Sequence, residues 1–240
     1  MNPESVERAK REAAKLAVKE NLRDNVIIGV GSGSTIIYAV RELAALVAKN
    51  GWNITCIPTS YQAKKLIIDE GLPLGSLDQF PTLDLAIDGA DEITSDLNVI
   101  KGGGGCLVQE KIVAESAKKL IIIADWQKNS SQLGEYWVQG VPVEIIPEAH
   151  IPLVQKLEKM GGKAKLRQGL AKIGPLITDN GNFILDVDFG KISDPEKLSS
   201  QLKVLTGVVD SGLFINMVNK AYIGEKNGRV KILSKQGFKS

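Results

Sequence analysis

Three short clusters along the chain combine glycines with side chains that bind anions or carry protons. The first, Gly31–Thr35 (GSGST), separates an apolar run ending at Val30 from another beginning at Ile36. Glycines let backbone amides approach a ligand, hydroxyls donate hydrogen bonds, and a helix start favours negative charge. The cluster lacks the third glycine of a dinucleotide fingerprint and the lysine of a Walker A loop. It predicts a phosphate site, with a structural tight turn as the alternative, at Ser32, Gly33, Ser34 and Thr35.

The second cluster is acidic and follows the apolar run LDLAID. Asp88, Gly89, Ala90, Asp91 and Glu92 come in succession where that run ends. Because parallel sheets bind ligands at the carboxyl ends of their strands, two acids three residues apart can face one pocket there. Two other interpretations stay open at this point. One is a solvated turn in which Asp88 caps a following helix, and the other is a site for a divalent cation.

The third cluster is a run of four glycines, Gly102–Gly105, with Lys101 before it and Glu110 beyond it. Four successive glycines cost much chain entropy, and they allow backbone amides to surround a ligand. Glu110 falls in the first turns of the helix predicted to follow, so its carboxylate can point back at whatever the loop holds. A flexible hinge is the alternative, and the flanking lysine and acid argue against it.

Two lysines outside the clusters are minor candidates for the same anion. Lys128 follows the predicted strand LIIIAD and could reach a phosphate, although an exposed loop lysine is the commoner case. Lys10 lies on the polar side of the first predicted helix, where a solvated charge is the simpler interpretation. We expect the three clusters to converge on one edge of a sheet, where they would support proton transfer on a small phosphorylated molecule.

Composition limits the classes of function. The chain has 240 residues, 43% of them hydrophobic, enough for a large buried core. Thirty Lys and Arg against 28 Asp and Glu, without long blocks of one sign, give no basis for nucleic-acid binding. One His and two Cys leave no recognisable zinc site, and Cys56 and Cys106 should be reduced thiols. With no apolar leader and no membrane-spanning run, we expect a cytoplasmic protein without a membrane partner.

The order of hydrophobic patterns predicts an α/β fold. Strand and helix signals alternate up to LIIIAD, as in a doubly wound, mostly parallel Rossmann-like sheet. From about residue 134 the order becomes strand, helix, strand, strand, helix, strand, which predicts a smaller inserted α+β domain of the ferredoxin-like kind. Within it, residues 176–189 (LITDNGNFILDVDF) predict a hairpin that turns at Asp179–Gly181. Asp194 as N-cap and Pro195 as first helical residue predict the start of the next helix, and residues 207–214 (GVVDSGLF) predict the strand after it. The predicted domains are 1–133 plus 208–240, and 134–207.

The motifs VGSGST, DGADE and KGGGG followed by EKIVA, in this order, resemble those of the type A ribose-5-phosphate isomerases. The resemblance extends over nearly the whole chain, through IADWQK, PVEIIP and TDNGNFILDV. It implies interconversion of ribose 5-phosphate and ribulose 5-phosphate in the pentose phosphate pathway, without a metal or an organic cofactor. It also implies a homodimer or homotetramer.

The resemblance further implies a role for each candidate residue. Glu110 corresponds to the catalytic base that moves a proton between C1 and C2 through a cis-enediolate. Asp88 corresponds to the acid-base residue that opens the furanose ring, and Asp91 beside it orders the sugar hydroxyls. Lys101 is implied to stabilise the enediolate oxygen together with the amides of Gly102, Gly103 and Gly104. The remaining substrate-binding positions are Ser32, Gly33, Ser34, Thr35, Gly89, Ala90, Lys128 and Lys10.

Two rival functions share this architecture. A non-catalytic sugar-phosphate sensor would not need the complete set of Glu110, Asp88 and Lys101, and it would be expected to carry a DNA-binding domain. An acyl-CoA transferase or a deaminating sugar-phosphate isomerase is the second rival. A transferase would form a thioester on its glutamate, so dependence on coenzyme A distinguishes it.

Overall fold

A computed structural model describes residues 3–235 of the chain. The fold divides into two compact units. Unit 1 comprises Met1–Ala90, Gln109–Asn129 and Met217–Ser240, and unit 2 comprises Asp91–Val108 and Ser130–Asn216. The chain therefore passes from one unit to the other inside the acidic cluster and again just after the glycine run. The predicted domain limits near residues 134 and 207 stay a prediction.

The described residues form six α-helices and fourteen strands. The helices are α1 (Pro3–Asn21), α2 (Ile36–Asn50), α3 (Tyr61–Asp69), α4 (Leu107–Ser116), α5 (His150–Lys159) and α6 (Pro195–Lys203). The strands are β1 (Val26–Val30), β2 (Ile54–Pro58), β3 (Leu85–Asp88), β4 (Glu92–Thr94), β5 (Val99–Ile100), β6 (Leu120–Asp125), β7 (Asn129–Ser130), β8 (Val141–Ile145), β9 (Lys163–Leu166), β10 (Phe183–Asp188), β11 (Val208–Ser211), β12 (Leu213–Phe214), β13 (Val218–Gly224) and β14 (Val230–Ser234). Within residues 3–235, no helix combines the length and the apolar character that crossing a bilayer requires.

Unit 1 is built on a six-stranded sheet in the order β14-β13-β6-β3-β1-β2. The pairs from β2 to β13 are parallel, and β14 adds an antiparallel edge. This confirms the predicted mostly parallel sheet and the predicted return of the chain to it after the small domain. The chain leaves β1 towards β2 on one side, while β3 lies on the other side. The crevice between the ends of β1 and β3 is thus the position where doubly wound sheets bind ligands.

Both faces of this sheet are covered. Ile28 and Val30 of β1 belong to a core formed with the buried sides of α1, α2 and α3. Gly29, which faces the opposite way because strand side chains alternate, allows α4 to pack closely. A Cβ at Gly29 would lie 2.4 Å from Cγ1 of Val113 in α4. The close packing fixes the height of α4 over the sheet, and with it the position of Glu110 one turn earlier.

Unit 2 contains a four-stranded antiparallel sheet in the order β11-β8-β10-β9, and α5 and α6 share an apolar core with it. Its sequence order of strand, helix, strand, strand, helix, strand confirms the ferredoxin-like prediction. Asp194 caps α6 through Lys197 N, with Pro195 as the first helical residue, as predicted. The apolar core contains Leu153 and Leu157 of α5 together with Val143 of β8.

Two strand predictions in unit 2 were wrong in detail. The chain turns at Asp179–Gly181, where Thr178 and Asn182 pair through a 2.9 Å backbone hydrogen bond, but no strand precedes this turn. Strand β10 pairs antiparallel with β8 on one side, and on the other side with β9 (Lys163–Leu166), which takes the place of the predicted hairpin strand. The predicted strand GVVDSGLF is split at Gly212, and β12 pairs with β5 in a small sheet of order β12-β5-β4-β7.

Candidate active site

The first glycine loop lies at the carboxyl end of β1 in unit 1, beside the end of β3. Gly31 N donates to Ile87 O at 2.9 Å, and Ser32 N donates to Asp88 Oδ1 at 3.2 Å. A Cβ at Gly31 would lie 2.0 Å from the same carboxylate oxygen, so only glycine fits here. Asp88 is 2% exposed and also accepts the Gly89 amide at 2.7 Å. The carboxylate therefore joins the two strand ends, and the predicted alternative of a helix cap is wrong.

Three residues that sequence reasoning missed, Thr59, Ser60 and Gln62, form hydrogen bonds with this loop. The Ser32 hydroxyl is 2.6 Å from Ser60 Oγ and 2.9 Å from Thr59 Oγ1. Gly33 N donates to Gln62 Oε1 at 2.8 Å. Ser60 is the N-cap of α3, so two helices, α2 and α3, begin beside this loop. The only sequence signal for these residues was their place after the strand β2, at the same edge as the first cluster.

Lys10 is held against the loop rather than solvated. Its side chain is 14% exposed and donates to Ser34 Oγ at 3.1 Å and to Glu7 Oε1 at 2.8 Å. Tyr38 of α2 donates to the other Glu7 oxygen at 2.5 Å. These bonds from Lys10 and then Tyr38 lower the pKa of the Glu7 carboxyl, and that carboxylate in turn raises the pKa of Tyr38. The simpler interpretation of Lys10 as a solvated charge is therefore wrong.

The positions of two further predicted residues of unit 1, Glu110 and Lys128, are determined by the helix and the strand that carry or precede them. Glu110 lies in the first turn of α4, is 5% exposed and precedes Val113, the residue packed on Gly29, by one turn. Lys128 ends a short 3-10 helix that begins where β6 ends. Because β6 is the neighbour of β3 in the sheet, Lys128 lies on the same sheet edge as Asp88. In unit 1 the structure thus places the first loop and Asp88 at one edge, as predicted, and Lys128 lies at this edge too. The convergence of the second glycine loop on the same edge stays a prediction.

The second glycine loop belongs to unit 2, and Asp91 organises it. Asp91 N donates to Ile100 O at 2.9 Å, and the Asp91 carboxylate accepts the Gly103 amide at 2.6 Å. A Cβ at Gly103 would lie 2.7 Å from Asp91 Oδ1. Gly102 has a φ of 95°, in the left-handed region that favours glycine. The loop is therefore a fixed turn rather than the flexible hinge that was its alternative.

Lys101 leads into this loop and is 3% exposed. Its backbone N donates to Gly212 O at 2.8 Å, and its ammonium lies 5.6 Å from the centre of the Phe214 ring. Gly212 is required for the approach, since a Cβ there would lie 2.1 Å from Lys101 O. A lysine buried to this degree is unusual without a functional or paired role.

Arg167 is the clearest residue that sequence reasoning missed. Its guanidinium donates to Gly102 O at 2.9 Å and to Gly103 O at 3.1 Å, and it forms a two-bond pair with Asp186. In the sequence it follows the run KAKL at the end of an exposed strand. It carries no motif there, and nothing distinguishes it from the solvated cations around it.

Glu92 and Cys56 have structural rather than catalytic surroundings. Glu92 is fully buried, and its carboxylate accepts the backbone amides of Gly134, Glu135 and Tyr136. It is therefore committed to this loop and not to a cation site. Among residues 3–235, no group of three or more His, Cys, Asp and Glu side chains is arranged to hold a metal ion. Burial raises the pKa of the Cys56 thiol to about 12, which makes it a poor nucleophile.

Residues 55–228 match the family described as ribose 5-phosphate isomerase A (phosphoriboisomerase A). A ribose-5-phosphate isomerase of Candida albicans is 53% identical over 96% of this chain and 98% of its own length. The chain belongs to the ribose 5-phosphate isomerase A family. The Homo sapiens ribose-5-phosphate isomerase is 49% identical over 95% of this chain and 74% of its own length.

Solved structures agree with this membership of the ribose 5-phosphate isomerase A family. A D-ribose-5-phosphate isomerase in complex with phospho-erythronic acid superimposes with a TM-score of 0.92 and 40% identity, covering 98% of this chain and all of that one. Ribose 5-phosphate isomerase A of Methanocaldococcus jannaschii gives a TM-score of 0.90 and 42% identity, covering 95% and 99%. The predicted fold class is therefore confirmed.

Proposed function

We propose that this chain interconverts D-ribose 5-phosphate and D-ribulose 5-phosphate through a cis-enediolate, as an aldose-ketose isomerase of the pentose phosphate pathway. The observation that carries the proposal is the near full-length similarity to ribose-5-phosphate isomerases, at 53% identity over 96% of the chain. The buried carboxylates and lysine of the three predicted clusters support it. Their assignment to one active site rests on the family resemblance.

The loop of unit 1 is proposed to bind the phosphate of the sugar. Gly33 has a φ of 98° and no atom within 4 Å of where a Cβ would stand, so there is room above its backbone. Helix α2 begins at Ile36, just beyond Thr35, and supplies its positive dipole end. Lys10, already bonded to Ser34, and Lys128 would add positive charge. The binding set is Ser32, Gly33, Ser34, Thr35, Lys10 and Lys128.

Asp88 is proposed to open the furanose ring. Ring opening requires one proton to leave the O1 hydroxyl and another to reach the ring oxygen. A buried carboxylate positioned by backbone amides can accept the first proton and donate the second. Asp88 is held in this way by the amides of Ser32 and Gly89. Gly89 and Ala90 would line the sugar, and Asp91 would order its hydroxyls.

Glu110 is proposed to be the base that transfers the proton between carbons. Its carboxylate would remove the proton from C2 of the open aldose, the electron pair would form the C1–C2 double bond, and O1 would become negative. Returning the proton to C1, with loss of the O2 proton and protonation of O1, gives the ketose. The packing of α4 on Gly29 gives this carboxylate a rigid support. A positioned base typically contributes about 10²- to 10⁴-fold to the rate.

Lys101 is proposed to stabilise the enediolate oxygen together with the amides of Gly102 and Gly104. The sequence interpretation included the Gly103 amide as well, but that amide donates to Asp91 in the structure. We therefore assign Gly103 to holding the loop. Donors fixed before the reaction are effective because no reorganisation is needed when the charge develops, and removing one typically costs about 10²- to 10³-fold.

The proposal is tested by following ribose 5-phosphate in deuterated buffer by NMR with a chelator present. Wild type should form ribulose 5-phosphate and incorporate deuterium, and Glu110→Gln should fold but lose nearly all turnover because an amide cannot accept the proton. Glu115→Gln is the matched control, since Glu115 is exposed on the same helix. Retained turnover in Glu110→Gln would remove this residue from the base role.

The same experiment separates the rivals. A folded wild type that binds ribose 5-phosphate without converting it would indicate a sensor, and activity only with coenzyme A would indicate a transferase. The proposed mechanism uses no metal ion, so loss of activity in the presence of the chelator would contradict it. A homodimer or homotetramer and a cytoplasmic location stay predictions, and light scattering of the purified chain tests the first.

A further inference from the structure

We propose that Arg167, held by Asp186, is a positioning residue for the reaction, because it fixes and polarises the glycine loop that would stabilise the enediolate. The inference rests on the proposed function. It assigns a role to a residue of the small α+β unit that carries no recognisable motif. All the groups that carry the argument, which are Asp91, the glycine loop, Arg167 and Asp186, belong to unit 2.

One guanidinium holds two consecutive carbonyl groups of the loop. Arg167 Nη1 donates to Gly102 O at 2.9 Å and to Gly103 O at 3.1 Å. Each carbonyl shares a peptide plane with the amide of the next residue, namely Gly103 and Gly104. None of the peptide bonds between described residues is cis, so each amide N–H points away from its own carbonyl. Arg167 on one side of the loop therefore directs two N–H groups to the other side.

The structure verifies this direction for the first of the two amides. Gly103 N donates to Asp91 Oδ2 at 2.6 Å, on the side of the loop opposite the guanidinium. The Gly104 amide belongs to the second peptide plane that Arg167 holds. No atom lies within 4 Å of the position that a Cβ would take on Gly104, so the space beside its Cα is open. A positive charge at a carbonyl oxygen also makes the N–H of the same peptide a better donor, because hydrogen bonds polarise one another.

Arg167 is itself immobilised. Its N donates to Ile184 O and its O accepts from Leu176 N, each at 2.9 Å. Its side chain is 12% exposed, and the paired Asp186 on β10 is 17% exposed. The Asp186 carboxylate binds Nε at 2.8 Å and also Nη2, which leaves Nη1 directed at the loop. Lysine could not replace this arrangement, since an ammonium lacks the planar fork that reaches both a carboxylate and two carbonyls.

The test compares wild type, Arg167→Gln, Arg167→Lys and Asp186→Asn, with Arg41→Gln as the matched control. Arg41 is a 62% exposed arginine of unit 1 that also pairs with a carboxylate. The kcat and KM for ribose 5-phosphate are measured, together with the affinity for a phosphorylated aldonic hydroxamate whose oxygens imitate the enediolate. Circular dichroism and thermal melting establish that each variant is folded.

We expect kcat to fall about 10- to 100-fold in Arg167→Gln and Arg167→Lys, as for a displacement of about 1 Å in a reacting group. The hydroxamate should lose affinity by a similar factor while KM changes less than threefold, and Asp186→Asn should show a smaller loss of the same kind. A purely structural role would lower the melting temperature without this separation between kcat and KM.

The outcomes distinguish the inference from the proposed function. An inactive wild type refutes the proposed function. An active wild type whose folded Arg167→Gln variant keeps its kcat and its hydroxamate affinity refutes only the role of Arg167. If the glutamine variant does not fold, Arg167→Lys decides, because it keeps a positive charge beside Asp186, and wild-type kinetics in that variant overturn the inference.

Discussion

The two glycine loops are each held by an aspartate, but the other side chains that hold them differ. In each, a glycine faces an aspartate so closely that a Cβ would lie 2.0 Å (Gly31 and Asp88) or 2.7 Å (Gly103 and Asp91) from a carboxylate oxygen. In each, that carboxylate accepts a loop amide. The loop of unit 1 is surrounded by hydroxyls and Lys10, whereas the loop of unit 2 is fixed from behind by the Arg167–Asp186 pair.

The difference in support matches the charges that the loops are proposed to meet. A phosphate is an anion throughout the reaction, so donors that adjust, such as hydroxyls and a lysine, are sufficient for it. An enediolate is charged only transiently, and stabilising it requires donors that are already fixed when the charge appears. The loop whose carbonyls are held by the Arg167–Asp186 pair is the one assigned to the transient charge.

The largest expected effect in this comparison is on kcat, when the positive charge of Lys101 beside the loop of unit 2 is removed. Lys101→Ala should lower kcat about 10²- to 10³-fold with a small change in KM, because its charge acts chiefly on the enediolate. Steady-state kinetics provide the measurement. Lys65→Ala is the control, because Lys65 is an exposed lysine that pairs with Asp69. An increase in KM with unchanged kcat would instead make Lys101 a clamp for the ground-state substrate.

The second effect tests what the two loops share. Gly31→Ala and Gly103→Ala should each lower the free energy of unfolding by about 1–3 kcal/mol, because the added methyl collides with an aspartate. Gly104→Ala should change it by less than about 0.5 kcal/mol, since its Cβ would stand in open space. Urea denaturation compares the three, and equal values would show that the aspartate contacts do not determine the loop shapes.

A smaller effect tests the role of the Tyr38–Glu7–Lys10 network in unit 1. Tyr38→Phe removes the hydroxyl that holds Glu7, and Glu7 holds Lys10. One hydrogen bond contributes about 1 kcal/mol, so KM for ribose 5-phosphate should rise about fivefold while kcat is nearly unchanged. The opposite pattern, with kcat reduced at constant KM, would contradict the assignment of this network to the phosphate end.

The smallest effect concerns pH. The folded-state pKa of Glu7 lies below its usual value of 4.5, so its stabilising contribution is present above 4.5 and is lost as the pH falls through the lowered value. Thermal melting of wild type and Glu7→Gln should therefore differ at pH 7 and converge under acid conditions. Because the Glu7 side chain is 46% exposed, the difference should stay below about 1 kcal/mol. A difference that grew with acidification would have the wrong sign.

Much of the fold could be predicted because its signals are local. Apolar runs of strand length, helical periodicity and caps such as Asp194–Pro195 are determined by neighbours in the sequence, and the structure confirmed them. The hairpin at Asp179–Gly181 was mispredicted for the complementary reason. Its turn is local, but the strand that pairs with β10 is chosen by register and burial across the sheet, and Lys163–Leu166 lies far from the turn.

The sequence by itself determined the order of the motifs, the α/β class and the residue types that can move a proton. Tertiary structure decided which of these groups meet within each unit. In the folded chain the Gly103 amide donates to Asp91, and the Glu92 carboxylate accepts amides of the 134–136 loop. Arg167 donates to two carbonyls that lie 64 and 65 positions away in the sequence. Hydrogen bonds over such separations depend on how elements pack, and the chemical type of a residue cannot reveal its partner.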